Sequence, residues 1–187
     1  MRIVGGEFRG RSLVTPKTNA IRPTIDRTRE SLFNIIGHVY PEAIEGSARV
    51  LDLFAGTGAV GLEALSRGCR TALFVENGVE GRGILWENIE QFGLHGRARI
   101  MRRDATKLGS VGNIEPFHFV FADPPYGQGL GEAALLSAHQ GGWIMPGALV
   151  VLEERADAAI HFDPVFQPLE SRLFGDTRVD FFRYQPG

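Results

Sequence analysis

One cysteine, Cys69, occurs among 187 residues, which excludes an internal disulfide and any zinc site built on a cysteine pair. The five histidines, at 38, 95, 118, 139 and 161, lack close metal-ligand spacing, so no metal site is expected. Cys69 reads as an inert buried filler. No uncharged run approaches the roughly 20 residues that a bilayer crossing needs. The opening MRIVGGEFRGR is broken by charge and glycine before any apolar stretch of signal-peptide length. A soluble cytoplasmic protein is therefore expected. Internal repeats, heptads and low-complexity tracts are also missing.

What is present is the balance of an ordinary globular chain, 43% hydrophobic and 22% charged. Its length suits one domain with at most a small appendage. The net charge of −2 hides an asymmetry: residues 1–40 carry seven Lys/Arg against three acids, leaving the remainder at −6. A basic arm precedes an acidic body. The plain reading is a solvated surface, and the sharper one is a phosphate-binding extension.

Residues 1–48 form that extension. Short β-prone pieces around Gly5-Gly6 and Gly10 suggest a β-hairpin. After Pro23, Thr24 is a candidate N-cap for a helix through IDRTRESLFNIIGHV. From 49 to 187 apolar runs alternate with helical stretches. Strands are expected at 49–54, 71–76, 99–103, 117–122 and 148–153, with helices near 59–67, 79–92 and 131–141. Such alternation gives an α/β fold, a parallel sheet covered on both faces. Gly81 and Gly83 each cost about 1 kcal/mol in a helix interior, so the helix near 79–92 could begin later. Segments 160–170 and 177–185, joined through Gly175-Asp176, look like a final antiparallel pair.

The strand VLDLF runs into AGTGAVG, with Gly56, Gly58 and Gly61 spaced G-x-G-x-x-G at a helix entrance. Glycines there let a ligand approach the backbone and the helix amides. No Lys-Ser/Thr follows them, so this is not a P-loop. Glu76 closes the second strand, where a carboxylate can accept both hydroxyls of a ribose. Either NAD or an adenosine ligand would fit this much. Asp52, beside the loop, would repel a pyrophosphate and suit the ammonium of a methionine moiety, which favours S-adenosylmethionine; alternatively it only braces the loop through backbone hydrogen bonds. Phe54 flanks the same loop. Asp104, with Ala105 after it, ends the third strand and belongs in the same crevice as an acceptor for the adenine amino group.

The fourth strand ends in Asp123-Pro124-Pro125-Tyr126. Two prolines cannot continue a sheet ladder, so they hold Asp123 and Tyr126 on a rigid exit. The chemistry suited to that segment is methylation of an exocyclic amino group conjugated with a ring. If Asp123 and the Pro124 carbonyl accept its N–H bonds, the nitrogen can pyramidalise and direct its lone pair at the methyl group while Tyr126 stacks on the base. A structural Pro-Pro turn capped by Asp123 is the plainer alternative.

DLFAGTG followed by DPPY resembles the amino-methylating branch of class I S-adenosylmethionine-dependent methyltransferases. Together with RIVGGEFRGR, RPTIDRTRESLFNII, LDLFAGTGAVGLEALSRG and the Glu76 and Asn88 neighbourhoods, it resembles the RsmD family, bacterial methyltransferases for guanine N2 in 16S ribosomal RNA. The resemblance is close over residues 1–130 and one of layout beyond them. It implies a Rossmann-like, mostly parallel seven-stranded sheet with one antiparallel strand, an N-terminal extension, and a target guanine in a small-subunit RNA loop. It also implies S-adenosylmethionine contacts at Gly56, Gly58 and Glu76, an adenine contact at Asp104, and Asp123 with Tyr126 at the base. The partner implied is 16S rRNA, within the small subunit or an assembly intermediate, with the chain acting as a monomer. Arg9, Arg11, Arg22 and Arg27 would grip phosphates around an extruded base, as would Arg29 unless it forms an ion pair with its own helix. The glycine-rich NGVEGRG after Glu76 departs from the family pattern. Competing readings are an amino-methyltransferase for adenine N6 or cytosine N4 in DNA or RNA, and an NAD-dependent dehydrogenase, for which DPPY has no use.

Overall fold

The computed structural model describes residues 1–17 and 25–187. Its elements are α1 (Asp26–Val39), β1 (Arg49–Leu53), α2 (Ala59–Arg67), β2 (Thr71–Val75), α3 (Val79–Gln91), β3 (Ala98–Met101), β4 (Phe117–Ala122), α4 (Leu130–Gln140), β5 (Ile144–Arg155), β6 (Phe166–Phe174) and β7 (Thr177–Tyr184). One seven-stranded sheet has the order β3-β2-β1-β4-β5-β7-β6, with β7 running antiparallel to both neighbours. The strand order reverses between β1 and β4, and in open α/β sheets that switch point is where a crevice opens at the carboxyl ends of the strands.

Successive residues of each central strand point to opposite faces, so both faces of the sheet are apolar. Val50, Phe119 and Val151 join Phe33, Ile36 and Leu62 in a core under α1 and α2. Leu51, Val120 and Val150 join Leu135 and Trp143 in a second core under α4. From the N-terminal segment, Ile3, Leu13, Leu32 and Phe33 are buried in the first of these cores. No helix among the described residues is long and apolar enough to cross a membrane.

Several local expectations shift. The N-terminal hairpin shrinks to a loop closed by one antiparallel bridge, Arg2 to Ser12. Its backbone finds partners elsewhere: the Glu7 N–H donates to the Ser66 carbonyl at 2.8 Å, and those of Val4 and Gly5 to the Glu63 carboxylate. Ile25, not Thr24, occupies the capping position of α1 and makes no side-chain cap; Thr24 and Arg22 lie outside the described residues. β3 ends at Met101 instead of 103, and β5 runs far longer than 148–153 because it pairs with β4 on one side and β7 on the other. β6 begins at Phe166 and not near 160; Phe162, ahead of it, packs on Phe182 with ring centroids 4.5 Å apart.

α3 does begin at Val79 despite its glycines. A Cβ on Gly81 would lie 3.1 Å from the Glu76 carboxyl carbon, so the glycine makes room for that side chain.

Candidate active site

Parallel register carries Leu53, Val75, Ala122 and Leu152 into one row across the sheet. The residues that follow are Phe54, Glu76 and Asp123, just past the carboxyl ends of β1, β2 and β4, and Glu153, buried inside β5, which runs on to Arg155. A cleft of about 280 Å³ opens at the carboxyl edge, lined among others by Phe54, Glu76, Asp104, Ala105 and Pro125. Five positions singled out in the sequence thus share one space.

The glycine loop is held open from two sides. Glu76 Oε1 accepts the Gly56 N–H at 2.7 Å while Oε2 accepts the Gly78 N–H at 2.8 Å, tying the first loop to the second. Phe54 has a φ of 57°, which for a residue with a Cβ costs about 1–3 kcal/mol. Gly58 has a φ of 83°, and a Cβ there would sit 2.2 Å from Leu85 Cδ1. The cradle is therefore shaped by backbone that only glycine can supply. Its N–H groups, with Glu76 beside them, suit a ligand carrying vicinal hydroxyls.

Asp52 is buried, and its Oδ2 accepts the Gly61 N–H at 3.0 Å. Burial pushes its carboxyl well above the ordinary range and the Glu76 charge pushes the same way, while the Gly61 N–H opposes them. The observed contact is thus the bracing one. Asp104 is exposed; its Oδ1 accepts from the Thr106 hydroxyl at 2.7 Å and backbone N–H at 2.9 Å, which holds its carboxyl below the usual range.

Past β4, Pro124 is buried and Pro125 exposed in the cleft wall. The Tyr126 hydroxyl lies 3.2 Å from Glu153 Oε1 and 3.1 Å from Thr177 Oγ1, which orients the ring. Glu153 is buried, and so is Glu154, whose Oε1 accepts the Gly127 N–H at 3.1 Å. Neither acid is anticipated from the sequence, although two carboxylates ending the apolar run LVVLEE were a readable signal.

The arginines scatter. Arg29 is buried, with Nε 3.1 Å from Glu63 Oε1 and a guanidinium nitrogen 3.0 Å from Asp26, so it belongs to the core and not to a phosphate surface. Arg11 donates to the Gln91 carbonyl at 2.8 Å and lies over the Phe92 ring at 4.5 Å. Since α3 descends from the cleft, its last residue, Gln91, lies at the opposite end of the sheet. Arg11 and the exposed Arg9 are therefore remote from Asp123. Arg27 is exposed at the start of α1.

The family model described as "Conserved hypothetical protein 95" matches residues 1–183. Ribosomal RNA small subunit methyltransferase D of Escherichia coli K12 is 37% identical over 158 residues, covering 84% of this chain and 76% of the relative. The chain belongs to the RsmD family. The protein of that same description from Haemophilus influenzae is 31% identical over 160 residues, 84% of this chain and 80% of its own. Among solved structures, yhhF of Escherichia coli superposes with a TM-score of 0.84 at 31% identity, covering 100% of this chain and 99% of the other. The RsmD fold is that of class I methyltransferases, and the cofactor is S-adenosylmethionine. The glycine cradle, Glu76 and the cleft fit it, and NAD is set aside.

Proposed function

We propose that this RsmD family member methylates the exocyclic N2 amino group of a guanine in 16S rRNA, within the small subunit or an assembly intermediate. The observation that carries the reading is the register that sets Glu76 and Asp123, the carboxylate suited to a ribose and the one suited to an amino group, just past the carboxyl ends of β2 and β4, with Glu76 and Pro125 of the DPPY segment lining one cleft. The names of the Escherichia coli and Haemophilus influenzae relatives support a small-subunit RNA substrate.

In this reading Gly56, Gly58, Glu76, Asp104 and Ala105 hold the cofactor, with Phe54 in the wall and Asp52 acting through the loop it braces. S-adenosylmethionine supplies an electrophilic methyl group on sulfur. Asp123 and the Pro124 carbonyl accept the two N–H bonds of the amino group and turn its lone pair toward that carbon. Held in this way, the amino group would not need to lose a proton before accepting the methyl group, so the chain needs no strong base beforehand. Tyr126, oriented by Glu153 and Thr177, stacks on the base. Arg9, Arg11, Arg22 and Arg27 contribute to RNA affinity.

Asp123→Asn retains a carbonyl oxygen and Asp123→Ala does not. Single-turnover methyl transfer to small-subunit particles, followed by nucleoside mass spectrometry, is expected to find N2-methylguanine with the Asn variant and almost none with Ala. Equal inactivity of both, with S-adenosylhomocysteine binding intact, returns Asp123 to a general-base role. Methylated adenine or cytosine in place of guanine overturns the substrate assignment.

A further inference from the structure

At the opposite end of the sheet from the cleft, β1, β2, β3 and β4 begin side by side. Their first residues, Arg49, Thr71, Ala98 and Phe117, line a groove of about 390 Å³ across the opposite end of the sheet. Strands of this length separate the two openings by about 15 Å.

Arg49, Arg97, Arg99 and His95 line the groove against one acid, Glu115. Arg49 is paired with Glu115 at 3.3 Å, and Arg97 is spent on the Cys69 carbonyl at 2.8 Å and on Glu7 at 3.7 Å. Arg99 is exposed, and its side chain takes part in no hydrogen bond or ion pair among the described residues. His95 packs against Trp86, a residue 51% exposed on α3, with ring centroids 6.2 Å apart. The Arg97–Glu7 contact joins this region to the N-terminal arm, where Arg9 is also exposed.

Charges along β3, an edge strand, would by themselves be explained as protection against edge-to-edge pairing. An exposed tryptophan beside them is not, because it adds the apolar surface that such charges serve to offset. Free cations next to an aromatic face are instead what a single-stranded nucleic acid requires: phosphate neutralisation plus a platform for a base.

We propose that the groove and its rim, with Arg99, Arg9 and Trp86 as principal contacts, form a second RNA-binding surface. It takes a segment of the substrate RNA other than the one presenting the base, with phosphates on the arginines and a base on Trp86. Recognition is then bipartite, which gives the remote placement of Arg9 a use. The inference rests on RNA being the substrate.

The test is binding of the full chain to a 16S rRNA transcript across a salt series, with Arg99→Glu, Trp86→Ala and, as control, Arg172→Glu on the far edge strand β6. Arg99→Glu is expected to weaken binding about tenfold and to flatten the slope of log K against log salt by about 0.7–0.9. Trp86→Ala should weaken it about fivefold or more. Arg172→Glu should change it by less than about twofold, being an exposed charge away from the surface. S-adenosylhomocysteine affinity, read by calorimetry, should be the same throughout. Unchanged RNA affinity in Arg99→Glu and Trp86→Ala overturns the surface, as does an equal loss in Arg172→Glu. If the parent fails to methylate 16S rRNA while Arg99→Glu and Trp86→Ala still lose RNA affinity selectively, the substrate reading fails and the surface stands.

Discussion

Asn88 pairs with the main chain of Val14 in both directions: its Oδ1 accepts the Val14 N–H at 2.8 Å and its Nδ2 donates to the Val14 carbonyl at 3.3 Å. The same Nδ2 lies 3.2 Å from the carbonyl of Thr57, in the glycine loop. One buried amide thus joins the arm to the glycine loop. Asn88→Asp removes both donors and sets a carboxylate against two carbonyls. It is expected to destabilise the fold by about 1–3 kcal/mol for each group left unsatisfied. S-adenosylhomocysteine affinity should fall with it, as calorimetry at a temperature where the variant remains folded would show. Unchanged affinity in the folded variant would mean that Thr57 is held by other contacts.

Glu63 gathers four donors. Its Oε1 accepts from Val4 N and Arg29 Nε, its Oε2 from Gly5 N and Arg67 Nε, and both Glu63 and Arg29 are fully buried. Glu63→Ala removes the buried carboxylate of the Arg29 ion pair, leaving the half-exposed Asp26, and should cost about 3–5 kcal/mol, whereas an exposed pair such as Arg155–Asp157 should cost at most about 1 kcal/mol. Urea unfolding midpoints of the two alanine variants provide the comparison.

Asp52 makes stability depend on pH in an unusual direction for a carboxylate. Above 3.8, its ordinary value, the unfolded chain loses the proton that burial keeps on the native one. Stability therefore falls as pH rises through that window toward the higher native value. Asp52→Asn keeps an acceptor for the Gly61 N–H and cannot ionise. Its unfolding free energy relative to the parent should improve as pH rises above 3.8, and a constant difference would show that Asp52 ionises without cost.

Burial pushes the Cys69 thiol up to about 12, against the opposing charge of Arg97. A maleimide or disulfide reagent at neutral pH should therefore leave the native protein unlabelled and modify it only on unfolding, since the thiolate is the reactive form. Labelling of the native protein at the rate of a small-molecule thiol would contradict this.

The strands, the glycine loop and the DPPY exit were legible because each is dictated over a few neighbouring residues. Apolar runs can be satisfied only inside a sheet, positive φ calls for glycine, and paired prolines end a ladder. Their convergence was legible too, since parallel strands of this order must bring their carboxyl ends to one edge. Chain-distant pairing was not. Tyr126 meets Glu153 across 27 residues and Val4 meets Glu63 across 59. Arg9, Arg11 and Arg29 look alike in sequence, yet one is exposed, one lies over an aromatic ring and one is sealed in the core. An arginine's role depends on how much water remains around it and on which carboxylate or carbonyl is brought within reach. Both are set by the packing of the arm and α1 against α2 and α3, which no local pattern encodes.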